Sequence, residues 1–409
     1  MNETNTLGKK FLLSENGIFQ YLDDYFVETI SYNGKGEVIR AVNKISKQTV
    51  KERYPKELAE GIPFYDSQTY IPDHTNYQAS FGKCINRYQP LPFEPVEGDY
   101  STWLKLVQHI GQDKWDVLIT YLIILAQSPI EKLPILVLVS TENETGKSTF
   151  ARMVASLFGE NAGFYGQDAL ESQFNGFAMK LIAVFEEITN TKKSFSKLKD
   201  ISTSKSTTVN QKYLPEFKFE PCVKIMILSN NEDDCIALTA QDTRYFVLKV
   251  PPIKDYDVDF DKKLEEEAPA FLWYLLNTEP LHAKSSRMWL HPDLLKTEQL
   301  EIIIEANKSE IYHEIKFAID AIMVEHGLPK LEITAGEINS YLQGKYSPNK
   351  VANVLNNEFK LKSEKKNYVP YYKLAKEYIP DGDMTKQGRV YTFTSPEADE
   401  SQTKDSLND

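Results

Sequence analysis

A glycine, a lysine and a hydroxyl residue in succession, placed where an apolar strand gives way to a helix, can hold phosphate. Here Ile135-Leu136-Val137-Leu138-Val139 runs into the polar segment Ser140 to Thr149, and Phe150 to Leu157 continues with helical character. Such a loop turns successive backbone N–H groups and the positive end of a helix toward an anion. Lys147 would reach the β and γ phosphates of ATP and the Ser148 hydroxyl would ligate magnesium, with Glu144, Thr145, Gly146 and Thr149 completing the ATP-binding set. Thr141 occupies the place where the pattern usually has its first glycine, so Gly146-Lys147-Ser148 and its flanks carry the signal.

Further polar groups close the apolar runs that follow. Leu181-Ile182-Ala183-Val184-Phe185 ends in Glu186-Glu187, and two acids at the end of a buried strand are costly unless something uses their charge. Beside a phosphate loop, Glu186 would support the metal and Glu187 would orient the attacking water. Lys224 to Leu228 ends in Ser229-Asn230-Asn231; Asn230 could sense the γ phosphate, and it also suits a turn. Arg244, in Gln241-Asp242-Thr243-Arg244-Tyr245-Phe246, fits either an arginine finger or an ion pair with Asp242 or another acid. Lys192, Lys193, Lys197, Lys199, Lys205 and Lys212 are interrupted by a single acid, Asp200, which fits a solvated loop or a local nucleic-acid contact.

Short apolar strands alternating with helices between Ile135 and Val250 are the pattern of a largely parallel α/β sheet. Strands are expected at Ile135 to Val139, Leu181 to Phe185, Val223 to Leu228 and Tyr245 to Val250, then a helix from about Asp261 to Leu276. Upstream, Trp103, Leu106, Val107, Trp115, Leu118 and Leu122 recur at helical spacing and predict a helical collar over 99–130. Residues 1–98 read as an accessory mixed α/β domain without a chemical motif, with β-like runs at Lys10 to Leu13, Phe26 to Ser31 and Val38 to Val42 and a turn at Asn33-Gly34. Residues 131–280 would be the ATPase domain and 281–308 a polar linker.

From 309 to 394 the order of elements suggests a winged helix. Ile311, Ile315, Ile319 and Ile322 form one stripe, Thr334 with Glu337 a capping box, and Ser347-Pro348 opens a third helix. Its Asn349, Lys350 and Asn353 could meet bases and phosphates, although a polar outer face fits as well. A ribbon with the turn Asp381-Gly382 and the strand Arg389 to Phe393 would be the wing, and the acidic tail 395–409 is expected to be disordered.

The 409 residues suit two or three domains, and a net charge of -12 argues against a protein that coats nucleic acid with its whole surface. Any such contact must be local. No run of about 18 apolar residues occurs, the first residues are polar, and Cys84, Cys222 and Cys235 lack zinc or disulfide spacing. The expectation is a cytoplasmic protein without a membrane partner.

With these elements in this order, residues 99–280 resemble the superfamily 3 helicases of viruses, plasmids and phages, a branch of the AAA+ ATPases. Leu181 to Glu187, and Thr208-Val209-Asn210-Gln211-Lys212 running on to Ile225 to Asn230, are similar to parvovirus replication proteins. The collar, Thr145 to Phe150 and Asp242 to Tyr245 are similar to phage and poxvirus-type primase-helicases. The resemblance implies an α/β fold with an AAA+ P-loop core, a ring that is usually a hexamer, and ATP with Mg2+ between subunits, where Arg244 reaches into the neighbour's site. It also implies a hairpin before the sensor strand on which Lys212 grips single-stranded or forked DNA, with Lys199 and Lys205 as nearby basic positions. Leu214 departs from the parvovirus-type hairpin, which has a second lysine there.

The activity implied is ATP-dependent replicative DNA unwinding, 3′ to 5′, by the helicase part alone. Residues 1–98 show neither an acid cluster nor a His-x-His pair, so a primase or initiator would be a separate partner. Two rivals stay open: an origin-binding initiator whose ATPase only switches assembly, and an AAA+ ATPase that acts on protein.

Overall fold

The uninterrupted apolar run Ile135–Val139 is buried at every position, as expected of a parallel strand covered on both faces. Numbered within its sheet, the strands are β1 (Ile135–Val139), β2 (Ala162–Tyr165), β3 (Ile182–Glu186), β4 (Lys224–Ser229) and β5 (Tyr245–Lys249). They lie in the order β5-β1-β4-β3-β2 and every pairing is parallel, with Val247 against Val137, Leu138 against Leu228 and Met226 against Val184. Because β4 is inserted between β1 and β3, the C-terminal ends of these three strands share one edge. Open α/β sheets bind ligands outside that edge.

The computed structural model describes residues 18–32, 38–53, 61–173, 175–188, 192–210, 216–239, 242–254, 257–374, 377–380 and 385–394. The chain divides into two units, Met1–Ala306 and Asn307–Asp409. Among the described residues no helix is long and apolar enough to cross a membrane.

In the first unit the collar is two helices, Ser101–Gly111 and Trp115–Gln127, laid against Phe260–Asn277. Trp103 is fully buried, stacks on Phe271 at 4.4 Å between centroids, and donates its indole N–H to the Leu264 carbonyl at 2.8 Å. At the helix start the Asp99 carboxylate accepts from the Ser101 N–H at 3.0 Å, and the Glu267 carboxylate accepts from the Thr102 N–H at 2.9 Å, so a distant acid satisfies a second of the unpaired groups. The collar is thereby fixed to the core that carries the loop Ser140 to Gly146.

Two expected boundaries change. Residues 1–98 include a four-stranded sheet with a small core of Phe19, Tyr21, Phe26, Tyr65, Ala79 and Ile85, and the runs at Phe26 and Val38 lie in its strands Asp24–Tyr32 and Val38–Ile45. Tyr70 and Tyr88, however, belong to the main core, and buried Asn161 exchanges two hydrogen bonds with the Gln89 backbone, at 2.8 and 2.9 Å. The segment is thus part of the first unit. The 281–308 linker is likewise folded: Glu298–Ala306 is a helix against β5, with Leu295, Leu300 and Ile303 in the main core. Leu295, Leu300 and Ile303 give the segment an apolar side that its overall polarity conceals. The run Lys10 to Leu13 and the turn Asn33-Gly34 lie outside the described residues.

The second unit runs helix Glu310–Glu325, strand Lys330–Thr334, helices Ala335–Tyr341 and Pro348–Asn357, and strands Glu364–Tyr368 and Lys386–Thr394, the last central in an antiparallel sheet. The isoleucine stripe is buried, both sides of the Thr334–Glu337 capping box are formed, and the Ser347 hydroxyl caps the third helix with Pro348 at its first turn. The turn Asp381-Gly382 and the tail 395–409 lie outside the described residues.

Candidate phosphate-binding site

The loop leaving β1 is braced from three directions. Thr141 donates its N–H to Glu232 Oε1 at 2.9 Å, the Glu144 carbonyl accepts from the Ile253 N–H at 3.2 Å, and the Thr145 carbonyl meets His109 Nε2 at 3.0 Å. Glu144 and Gly146 take φ of 54° and 86°. That geometry is easy for glycine and uncommon for other residues, which explains the glycine at 146 and marks Glu144 as held by its surroundings. The helix Lys147–Phe158 begins immediately after, so its unpaired N–H groups open toward the loop.

Lys147 is 6% exposed, and its ammonium donates to the Ser140 carbonyl and to Thr145 Oγ1, both at 3.2 Å. Burial lowers its pKa, partly opposed by the Glu232 carboxylate. Both hydrogen-bond acceptors are neutral oxygens, so the ammonium keeps a charge with which an anion in the adjoining cleft could pair. Ser148 is exposed at the helix start and Thr149 is half-buried behind it.

Lys147, Ser148, Glu186, Glu187 and Asn230 line one cleft of about 560 Å³ with Phe164, Tyr165 and Gly166. Both acids are exposed, so the buried strand delivers its charges to the cleft. Glu187 sits at φ 49° with its N–H on the Leu228 carbonyl at 3.2 Å, and its Oε1 accepts from Asn230 Nδ2 at 3.2 Å. A left-handed glutamate at a strand end is a sparsely populated conformation, held here by its surroundings. Among the described residues no cluster of three or more His, Cys, Asp and Glu could cage a metal by itself. One hydroxyl and one carboxylate, Ser148 and Glu186, instead suit magnesium, which takes few protein oxygens and fills its octahedron with phosphate and water.

Arg244 is not brought to this cleft. It directly precedes β5, whose first residue pairs with Ile135, and its carbonyl accepts from the Ile135 N–H at 2.7 Å. The five residues of β1 separate it from the loop by roughly 16 Å. Asp242, the acid offered as its partner, pairs instead with Lys199 at 3.0 Å, in a half-buried site where the Lys199 ammonium lies 5.7 Å from the Tyr245 ring centroid. Lys199 therefore already has a structural task in this conformation.

Lys205 is exposed just before a two-stranded hairpin, Thr207–Val209 paired with Phe217–Phe219, which immediately precedes β4. Lys212 and Leu214 lie outside the described residues. In the second unit Asn349, Lys350 and Asn353 are all exposed on the third helix, opposite buried Val351, Val354 and Leu355.

The sequence did not single out His109, Glu232, Ile253, Phe164 or Tyr165. The last two come from β2, a short strand whose residues are half-exposed or exposed, so it lacks the apolar signature of its neighbours.

Residues 138–244 match a family model described as "Family of unknown function (DUF5906)". That span begins within β1 and ends at Arg244. No curated protein matches the sequence. The apo structure of the NrS-1 C-terminal region (305–718) is similar with a TM-score of 0.62 and 16% identity, covering 89% of this chain and 94% of that one. A second, the A form apo structure of the same region, gives 0.61 and 17%, covering 90% and 96%. The chains share a fold.

Proposed function

We propose that this chain is an ATP-dependent DNA helicase of the superfamily 3, AAA+ type, serving replication of a phage or mobile genetic element as a ring on single-stranded DNA. The observation that carries the proposal is the β5-β1-β4-β3-β2 order, which sets Lys147, Ser148, Glu186, Glu187 and Asn230 around one cleft. Lys147 holds the β and γ phosphates, Glu187 orients the attacking water, and Asn230 positions Glu187 and meets the γ phosphate. Ser148 and Glu186 would hold magnesium, which when bound offsets the negative charge developing on the phosphates.

Three observations favour a ring acting on DNA. Arg244 lies at the far end of β1 from its own cleft, so a role as an arginine finger would need a second copy. The hairpin before β4 matches in position the one on which Lys212 is expected to grip DNA. The second unit has the element order of a winged helix, with an asparagine- and lysine-bearing third helix. Displacement of a labelled strand from forked DNA with Mg2+-ATP tests the proposal. Binding without displacement would indicate the initiator instead, and ATP hydrolysis indifferent to DNA would indicate an ATPase acting on protein.

A further inference from the structure

Thr141 departs from the glycine usual at its position, and the structure gives that departure a partner. Glu232 Oε1 accepts from both the Thr141 N–H, at 2.9 Å, and its hydroxyl, at 3.3 Å. The other carboxylate oxygen pairs with Lys249 at 2.7 Å, and Lys249 ends β5 beside Val139, the last residue of β1. The Glu232 backbone is held as well, since buried Gln299 donates to its carbonyl at 2.7 Å. The carboxylate itself is 13% exposed. Burial alone would raise its pKa, but hydrogen bonds from Lys249 and Thr141 outweigh that and keep it ionised.

Glu232 lies two residues beyond Asn230, whose amide holds Glu187. One short segment after β4 therefore grips the phosphate loop at one point and the water-orienting carboxylate at another. We propose that Glu232 is a positioning residue of the phosphate loop, fixing Thr141 so that the loop that binds nucleotide and the segment that carries Asn230 move as one body. The inference rests on the ATPase reading of the cleft. It assigns no chemistry to Glu232 itself, which touches no reacting atom.

The test is steady-state ATP hydrolysis by the full chain and three variants, with thermal melting of each. Glu232→Ala removes every side-chain acceptor, and the KM for ATP should rise roughly tenfold or more, as for loss of a charge-assisted hydrogen bond. Glu232→Gln keeps an acceptor for Thr141 and should recover most of that loss. Thr141→Val keeps the N–H but not the hydroxyl, and should fall between them. Equal KM and kcat in Glu232→Ala and the unaltered chain would overturn the inference. So would a KM that tracks the melting temperature across the variants without rescue by Gln, because that is a structural role only. Absence of hydrolysis in the unaltered chain would instead count against the ATPase reading, and the two failures are thus distinguishable.

Discussion

Asn230 donates from Nδ2 to Glu187 Oε1 at 3.2 Å, joining the end of β4 to the end of β3 across the mouth of the cleft. The contact is exposed, so it is weak in itself. Its consequence is directional: with φ at 49°, the glutamate is turned toward Asn230, next to the place a γ phosphate would take. Glu187→Gln keeps this hydrogen bond geometry but loses the charge that polarises water. Its kcat for ATP hydrolysis should fall about 100-fold or more with ATP binding retained. Asn230→Ala should lower kcat at least tenfold with a smaller change in KM. Full hydrolysis by Glu187→Gln would remove that residue from the catalytic role.

The separation of Arg244 from its own cleft predicts complementation. Arg244→Ala and Glu187→Gln chains should each be nearly inactive alone, since an arginine finger contributes roughly 1,000-fold or more. Mixed together, they should regain part of the activity, because intact clefts then meet intact arginines. Measured ATPase rates of mixtures that never exceed the sum of the parts would place Arg244 in a merely structural role.

Lys212 is tested by uncoupling. Lys212→Ala should leave basal ATP hydrolysis within about twofold and lose most strand displacement, together with the salt dependence that a phosphate contact confers. Unchanged displacement would sink the hairpin assignment.

The Lys199–Asp242 pair predicts a pH-dependent stability. Burial raises the Asp242 pKa, but hydrogen bonds from Lys199 and Thr239 outweigh it, so the carboxyl sits below its ordinary 3.8. A depressed folded-state pKa adds stability that is present above the ordinary value and lost as pH falls through the depressed one. Asp242→Asn should therefore melt lower than the unaltered chain at pH 7, by an amount equivalent to about 1–3 kcal/mol. The gap should narrow as the pH falls below that ordinary value. A gap constant from pH 7 to pH 3 would show that the pair is not the cause.

How much of this was legible beforehand depended on sequence distance. β1, β3, β4 and β5 were legible because strands buried on both faces read as unbroken apolar runs, and the caps at Thr334 and Ser347 because capping is local. β2 was not, being short and partly exposed. The cleft could be read as residues ending strands, since each strand end is a local feature. Its bracing could not: Thr141 and Glu232 lie 91 positions apart, and Lys199 and Asp242 lie 43 apart, and nothing within either segment announces the other. The acids and lysines were visible; which of them had already spent their charge on each other was not.

The most direct test of the central claim is the ATP hydrolysis rate of the unaltered chain with Mg2+, measured with and without single-stranded DNA, beside a Lys147→Ala control of equal melting temperature. The account predicts hydrolysis that single-stranded DNA accelerates several-fold and that Lys147→Ala abolishes. A rate indifferent to DNA, or one that survives in Lys147→Ala, would contradict it.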